Sequence, residues 1–202
     1  MRLKIEPVHW IEFYPDFYYF VLFYSIYWID HGCKSHRRKR NCNSSINRAF
    51  DNGTFTDKTI LKTTLEDIDN QFNPYEIEID SYNRLMFWND ESTNYINIER
   101  LDQGENKELE SIGILLPDKE DKPRAIAIHP FKSLIFFVNI GNPIRIEHSR
   151  MDGKMRKTII DTNITTPIDI CVDTQDDLLF WVDLDFPHLE RSTKTSQSKD
   201  IA

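Results

Sequence analysis

Apolar and polar residues alternate with a period of two in short runs, and one such run returns three times behind a proline. Pro74 is followed by YEIEIDSYNRLMFWND, Pro123 by RAIAIHPFKSLIFFVN and Pro167 by IDICVDTQDDLLFWVD. Three residues after each proline stands Ile77, Ile126 or Ile170, and two further on Ile79, Ile128 or Val172, the alternation of a half-buried strand. Asp80, His129 and Asp173 follow at one shared offset. After a short polar turn each copy enters a second strand, Leu85 to Trp88, Leu134 to Phe137 or Leu178 to Trp181. Two residues past each large aromatic sits Asp90, Asn139 or Asp183, a short polar side chain able to hold the backbone where the strand ends.

The prolines are 49 and then 44 residues apart, close to the spacing of roughly 40 to 50 residues that marks four-stranded propeller blades. Third strands are predicted at Ile96–Arg100 and Ile144–His148, followed by turns at Asp102-Gln103-Gly104 and Asp152-Gly153, and a fourth at Lys157–Ile160. Each repeat therefore reads as one twisted antiparallel sheet, with no helical periodicity. An earlier copy has its aromatic strand at Ile26-Tyr27-Trp28-Ile29-Asp30, its third strand at Ile46-Asn47-Arg48 and its turn at Asp51-Asn52-Gly53. From aromatic to turn glycine the count is 16 in later copies (Trp88 to Gly104, Phe137 to Gly153) but 25 from Trp28 to Gly53. The insertion falls between Cys33 and Cys42 and carries the basic run Arg37-Arg38-Lys39-Arg40. That run fits a basic-pair cleavage site, a nuclear-localisation patch or a solvated loop between strands.

With 202 residues and 40% hydrophobic content the chain can bury a core. Its net charge of -8 argues against a general grip on nucleic-acid phosphates and favours cationic partners. Six glycines supply no phosphate-binding loop, so no nucleotide cofactor is expected. His129 and His148 stand at different repeat positions with no Cys or carboxylate at ligand spacing, and no metal site is expected. Phe17 to Ile29 runs 13 residues without a charge, too short for the roughly 20 that span a bilayer, and reads as a buried strand. Three cysteines allow at most one internal disulfide. Cys33 and Cys42 flank the inserted loop and could be joined in an oxidising compartment, whereas Cys171, between Ile170 and Val172, is expected to be a strand thiol.

The cores YWID, FWND, FFVN and FWVD, each followed by a strand and a turn, resemble the YWTD repeats of the low-density-lipoprotein receptor family. PYEI, DKPRAI and FWVD, in that order, resemble consecutive blades in the fourth, most membrane-proximal propeller of its Wnt co-receptor (arrow-like) branch. The resemblance implies an all-β fold, a YWTD-type six-bladed propeller of which about four blades are present as four-stranded antiparallel sheets. Residues 1–25 then form an aromatic N-terminal segment that includes part of a first blade, 26–192 the blades, and 193–202 a polar tail. Six blades of about 43 residues need roughly 260, so the chain reads as a fragment of a longer single-pass receptor or as the product of an incomplete gene model.

Trp28, Trp88, Phe137 and Trp181 are expected to fill the space between neighbouring sheets. Asp30, Asp90, Asn139 and Asp183, recurring in every copy, are expected to hydrogen-bond loop amides, a scaffold role and not a catalytic one. The resemblance implies no enzyme and places ligands on one face of the ring, where the matching positions hold Tyr75, Glu91 and Arg124. It implies secreted protein ligands, Wnt-type or their antagonists, beside the propellers and EGF-like modules of the full receptor. An endocytic lipoprotein-type receptor and a hydrolase on a six-bladed propeller are the rival readings. Acceptor sequences for N-glycans begin at Asn43, Asn52 and Asn163, which suits an extracellular chain.

Overall fold

The computed structural model describes residues 3–10, 13–14, 17–18, 21–30, 44–51, 58–63, 72–101, 110–115, 119–185 and 189–192. The strands, in chain order, are β1 (Leu3–Trp10), β2 (Phe13–Tyr14), β3 (Phe17–Tyr18), β4 (Val21–Asp30), β5 (Ser45–Asp51), β6 (Lys58–Thr63), β7 (Pro74–Asp80), β8 (Leu85–Asp90) and β9 (Tyr95–Arg100). There follow β10 (Glu110–Leu115), β11 (Pro123–His129), β12 (Leu134–Asn139), β13 (Arg145–Arg150), β14 (Lys157–Ile160), β15 (Pro167–Asp173), β16 (Leu178–Asp183) and β17 (Leu189–Ser192). A single 3-10 turn at Pro130–Lys132 interrupts this all-strand pattern among the described residues.

Each repeat folds into its own antiparallel sheet. The four sheets run β1-β4-β5-β6, β7-β8-β9-β10, β11-β12-β13-β14 and β15-β16-β17, and β2 pairs with β3 as a small hairpin at the end of the first. The fourth sheet has three described strands, where four were expected. The N-terminal segment supplies the whole first strand of the first sheet, pairing Leu3 with Trp28 through to Trp10 with Val21.

The third strand of the third sheet, predicted at Ile144–His148, instead runs Arg145–Arg150, with Ile146 opposite Val138 where Ile96 stands opposite Asn89 in the sheet before. Five residues, 140–144, link β12 to β13, against four, 91–94, between β8 and β9. A two-residue slip keeps the same residues facing inward, so alternation alone could not detect it.

The proline-led strands lie innermost, and a proline fits the first position of a strand because its missing N–H costs no ladder bond there. Just after each proline the ladder to the second strand shifts register, at Pro74/Glu76, Pro123/Ile126 and Pro167/Asp169. The residue before each second strand is left-handed in all three sheets, at Arg84 (φ 56°), Ser133 (φ 52°) and Asp177 (φ 58°). A strain of order 1 kcal/mol per residue is thus accepted three times to close the same tight turn.

Packing between sheets forms three cores. Tyr27, Ile29, Ile46, Ile77, Met86 and Trp88 fill the first seam, and Phe87, Ile96, Ile126, Ile135 and Phe137 the second. Ala125, Ala127, Phe136, Val138, Ile170 and Trp181 fill the third. Trp88, Phe137 and Trp181 each face the preceding sheet, while Phe87 and Phe136, one residue earlier, face the following one. Sheets whose two faces are both buried against neighbours around their inner strands are the blades of a β-propeller, here incomplete.

Candidate functional site

The two ends of the strands present different surfaces. At the proline end, Asp90, Asn139 and Asp183 close one recurring clamp. Asp90 accepts from the N–H of Asn73 and of Ser92, Asn139 Oδ1 from Lys122 and Gly141, and Asp183 from Thr166 and Asp185. In each sheet the donors are the residue before the proline and the residue two past the clamp. Backbone bonds Glu91 to Asn73, Ile140 to Lys122 and Leu184 to Thr166 run alongside. Burial opposes ionisation of Asp183, but the N–H groups of Thr165, Asp185 and Thr166 outweigh it and hold the carboxyl below its ordinary range. At Gly141 a Cβ would lie 1.9 Å from the carbonyl oxygen of Glu120, so this turn admits glycine alone.

Why the third sheet has Asn where the others have Asp is also visible. Asn139 Nδ2 donates to Asp121 Oδ1 at 2.6 Å and to Glu147 Oε2 at 2.9 Å, two buried carboxylates that a third would repel. Arg145 and Arg156 each pair with both Asp121 and Glu147, and Arg156 also lies over the Phe137 ring. Burial raises the cost of the Glu147 charge, yet bonds from Arg156 and Asn139 and the charges of both arginines hold its carboxyl below the usual range. Sequence reading missed this group, although four charged residues within one repeat, absent from the others, mark it.

The recurring clamp sets the positions beside it. The residue after each clamp is Glu91, Ile140 or Leu184, and the residue after each proline is Tyr75, Arg124 or Ile168. Glu91 and Arg124 come from adjacent sheets and meet, Arg124 Nε lying 3.2 Å from Glu91 Oε1 with the side chains 19% and 32% exposed. Arg124 also donates to Pro123 O at 3.1 Å and reaches Asn94 Oδ1 at 3.5 Å, while Asn73 Nδ2 donates to Glu91 Oε2. Tyr75, half-buried, holds the Arg124 position one sheet earlier. One seam further on, the same two positions are apolar and exposed, Ile140 and Ile168, with Leu184 beyond them. This end of the sheets thus offers an oriented charge pair beside an aliphatic step, a surface suited to contact with another macromolecule.

At the opposite end, Asp80 Oδ1 accepts from the N–H of Tyr82 and Asn83, and Asp173 Oδ1 from Gln175 and Asp176. His129 takes that position in the third sheet, where the 3-10 turn replaces the Asp-capped one. Its buried ring meets Asp177 of the fourth sheet, Nε2 to Oδ1 at 3.0 Å, and Lys132 reaches the other oxygen at 2.7 Å. Lys132 and His129 hold the Asp177 carboxyl below its ordinary range. The exposed rings of Tyr82 and Phe131 stack edge-on across the second seam, 4.8 Å apart, another contact that sequence reading did not single out.

Among the described residues, no three His, Cys, Asp or Glu side chains are placed to hold a metal ion. Nor is any described helix long and apolar enough to cross a membrane. Cys171 is an exposed strand thiol. Trp28 and Asp30 lie on β4, opposite Asn47 and Ser45, with side chains outside the described set. Cys33, Cys42, Asn43, Asn52 and the Arg37–Arg40 run lie outside the described residues.

No protein-family model matches the chain. Over 187 residues, 92% of the chain, it is 31% identical to low-density lipoprotein receptor-related protein 5 of Mus musculus, and over 188 residues it is 31% identical to the Homo sapiens protein of that name. In both cases the chain spans only 10% of the relative's length. In the crystal structure of a nidogen/laminin complex, one chain superposes with a TM-score of 0.60 at 22% identity, covering 74% of this chain and 54% of that one.

Proposed function

The chain carries YWTD propeller repeats of the low-density-lipoprotein receptor-related type, and on that premise we propose that it is an extracellular protein-recognition segment of a longer single-pass receptor acting in Wnt signalling. It performs no chemistry in this reading. It belongs to the fourth propeller, and the proline end of its sheets is the contact surface for secreted Wnt-type proteins or their antagonists. The observation that carries the reading is the Glu91–Arg124 pair, two charges brought together from adjacent sheets by positions that recur beside every clamp. A guanidinium fixed by a carboxylate and a carbonyl keeps further N–H donors in a set direction, which suits an oriented polar contact. The chain's net charge of -8 adds a general attraction for basic partners.

Binding kinetics of the whole ectodomain, immobilised and exposed to Wnt-type ligands and their secreted antagonists, test this. Arg124→Ala is expected mainly to speed dissociation and to cost about 1 to 3 kcal/mol of affinity, as a central interface anchor would. Glu91→Ala removes one of the anchors of Arg124 and weakens binding less, and Tyr75→Ala less again. Higher salt slows association in every variant by screening the general attraction. Identical rates for wild type and Arg124→Ala would remove the proline end as the recognition surface.

A further inference from the structure

We propose that Asn163 carries an N-linked glycan, an inference that rests on the extracellular reading because this modification is made in the secretory pathway. Asn163-Ile164-Thr165 is the one acceptor tripeptide of the three that lies wholly within the described residues. It sits in the connection from β14, at the outer edge of the third sheet, to β15, the inner strand of the fourth. Ile164 is buried in the core between those sheets. Thr165 is drawn to Asp183, its N–H donating at 2.8 Å and its Oγ1 at 3.1 Å. The loop is therefore pinned on one side of Asn163 by an apolar and a polar anchor. Asn163 itself is exposed, as are Asp161 and Thr162 before it, so a bulky substituent meets solvent. Its left-handed backbone (φ 52°) is a conformation that Asn accepts more readily than most residues.

In the transfer, Nδ2 of Asn163 attacks C1 of an oligosaccharide linked to a lipid pyrophosphate. The N–C bond forms, the bond from C1 to the pyrophosphate oxygen breaks, the lipid pyrophosphate leaves with the bonding electrons, and the amide proton passes to a base of the transferase. The acceptor tripeptide needs its hydroxyl, and in the folded sheet Thr165 Oγ1 is engaged with Asp183. Transfer therefore precedes closure of the Asp183 clamp. Thr165 and Thr166 bond to Asp183 and Asp185 on either side of exposed Leu184, which holds the acceptor loop at the proline end of the fourth sheet.

The test is the whole chain expressed behind a secretion signal in animal cells, with peptide mass spectrometry of both the secreted and the retained protein. The peptide containing Asn163 is expected to carry N-acetylhexosamine-based mass and, after glycan-releasing amidase, to read Asp at 163. Thr165→Ser retains the modification, while Asn163→Gln and Thr165→Ala abolish it. An unmodified Asn163 in both fractions overturns the proposal, and retention after Thr165→Ala overturns the acceptor assignment. Ectodomain binding is read separately, so a missing glycan leaves the recognition reading standing, and failed binding leaves the glycan standing.

Discussion

Polar side chains cross the seam between the second and third sheets and grip the neighbouring backbone, whereas the same repeat positions at the next seam are apolar. Glu76 Oε2 accepts the N–H of Ile126, and Asn89 donates from Nδ2 to the carbonyl of Pro123 while its Oδ1 accepts from Glu76 N. One sheet later these positions hold Ala125 and Val138, which pack into the core against the fourth sheet. The N–H of Ile170, counterpart of Ile126, is instead met from its own strand by Asp169 Oδ1 at 2.9 Å. A repeat fold can therefore join equivalent sheets by either chemistry, provided that backbone N–H groups near the post-proline bulge find an acceptor somewhere.

The largest effect is expected where the apolar seam is emptied. Phe136 is fully buried there, and Phe136→Ala should cost about 3 to 5 kcal/mol in chemical denaturation. Phe180 holds the same place on the fourth sheet, where no described sheet follows, and is only half-buried. Phe180→Ala should cost roughly 1 to 2 kcal/mol, as fits partial burial. Equal losses would mean that the fourth sheet is covered as fully as the third.

Next in size is the exchange of clamp residues. Asn139→Asp puts a third carboxylate beside Asp121 and Glu147 and removes their shared donor, for an expected loss of about 3 kcal/mol at neutral pH. That loss should shrink as pH falls, because protonating one of the three carboxyls relieves the repulsion. In the unaltered chain the sign is opposite. Asp183 and Glu147 titrate lower in the fold than in the unfolded chain, so their contribution is complete above about pH 4 to 4.5 and is lost as pH falls through the lowered values. Denaturation midpoints measured against pH for both forms give the two slopes directly.

Smaller again is loss of the polar latch. Asn89→Ala strands the N–H of Glu76 and the carbonyl of Pro123 and should cost about 2 kcal/mol, while Asn89→Val, which copies Val138, should recover little because it leaves the same N–H and carbonyl unpaired. Thermal unfolding of the two variants side by side measures the difference. Least of all is expected from the Glu91–Arg124 pair. A double-mutant cycle should give a coupling of roughly 0.2 to 1 kcal/mol, since both side chains are partly exposed and water screens them. A stability coupling this small beside a clear effect on ligand dissociation would separate a recognition role from a scaffolding one.

Period-two alternation and the recurring prolines were enough to place six strands: Pro74–Asp80, Pro123–His129 and Pro167–Asp173, and the second strands from Leu85, Leu134 and Leu178, which run two residues past the aromatics Trp88, Phe137 and Trp181 to Asp90, Asn139 and Asp183. These are local patterns, and strands are set by local alternation and turn residues. The same locality explains the two-residue error at β13, where slipping by a full period leaves the inward face unchanged.

The chain's own residues therefore determined that it folds as repeated antiparallel sheets, which aromatics fill the spaces between them, and where each sheet begins and turns. Only the tertiary structure decided what those repeats do to one another. Glu91 and Arg124 are 33 positions apart, Glu76 and Ile126 are 50 apart, and His129 and Asp177 are 48 apart. No local pattern carries the angle at which one twisted sheet meets the next, and that angle selects which side chains of neighbouring sheets come within hydrogen-bonding reach. The two acceptors that call for the Asn139 amide belong to the same class, since the Asp121 and Glu147 carboxylates approach its Nδ2 only after β11, β12 and β13 have paired.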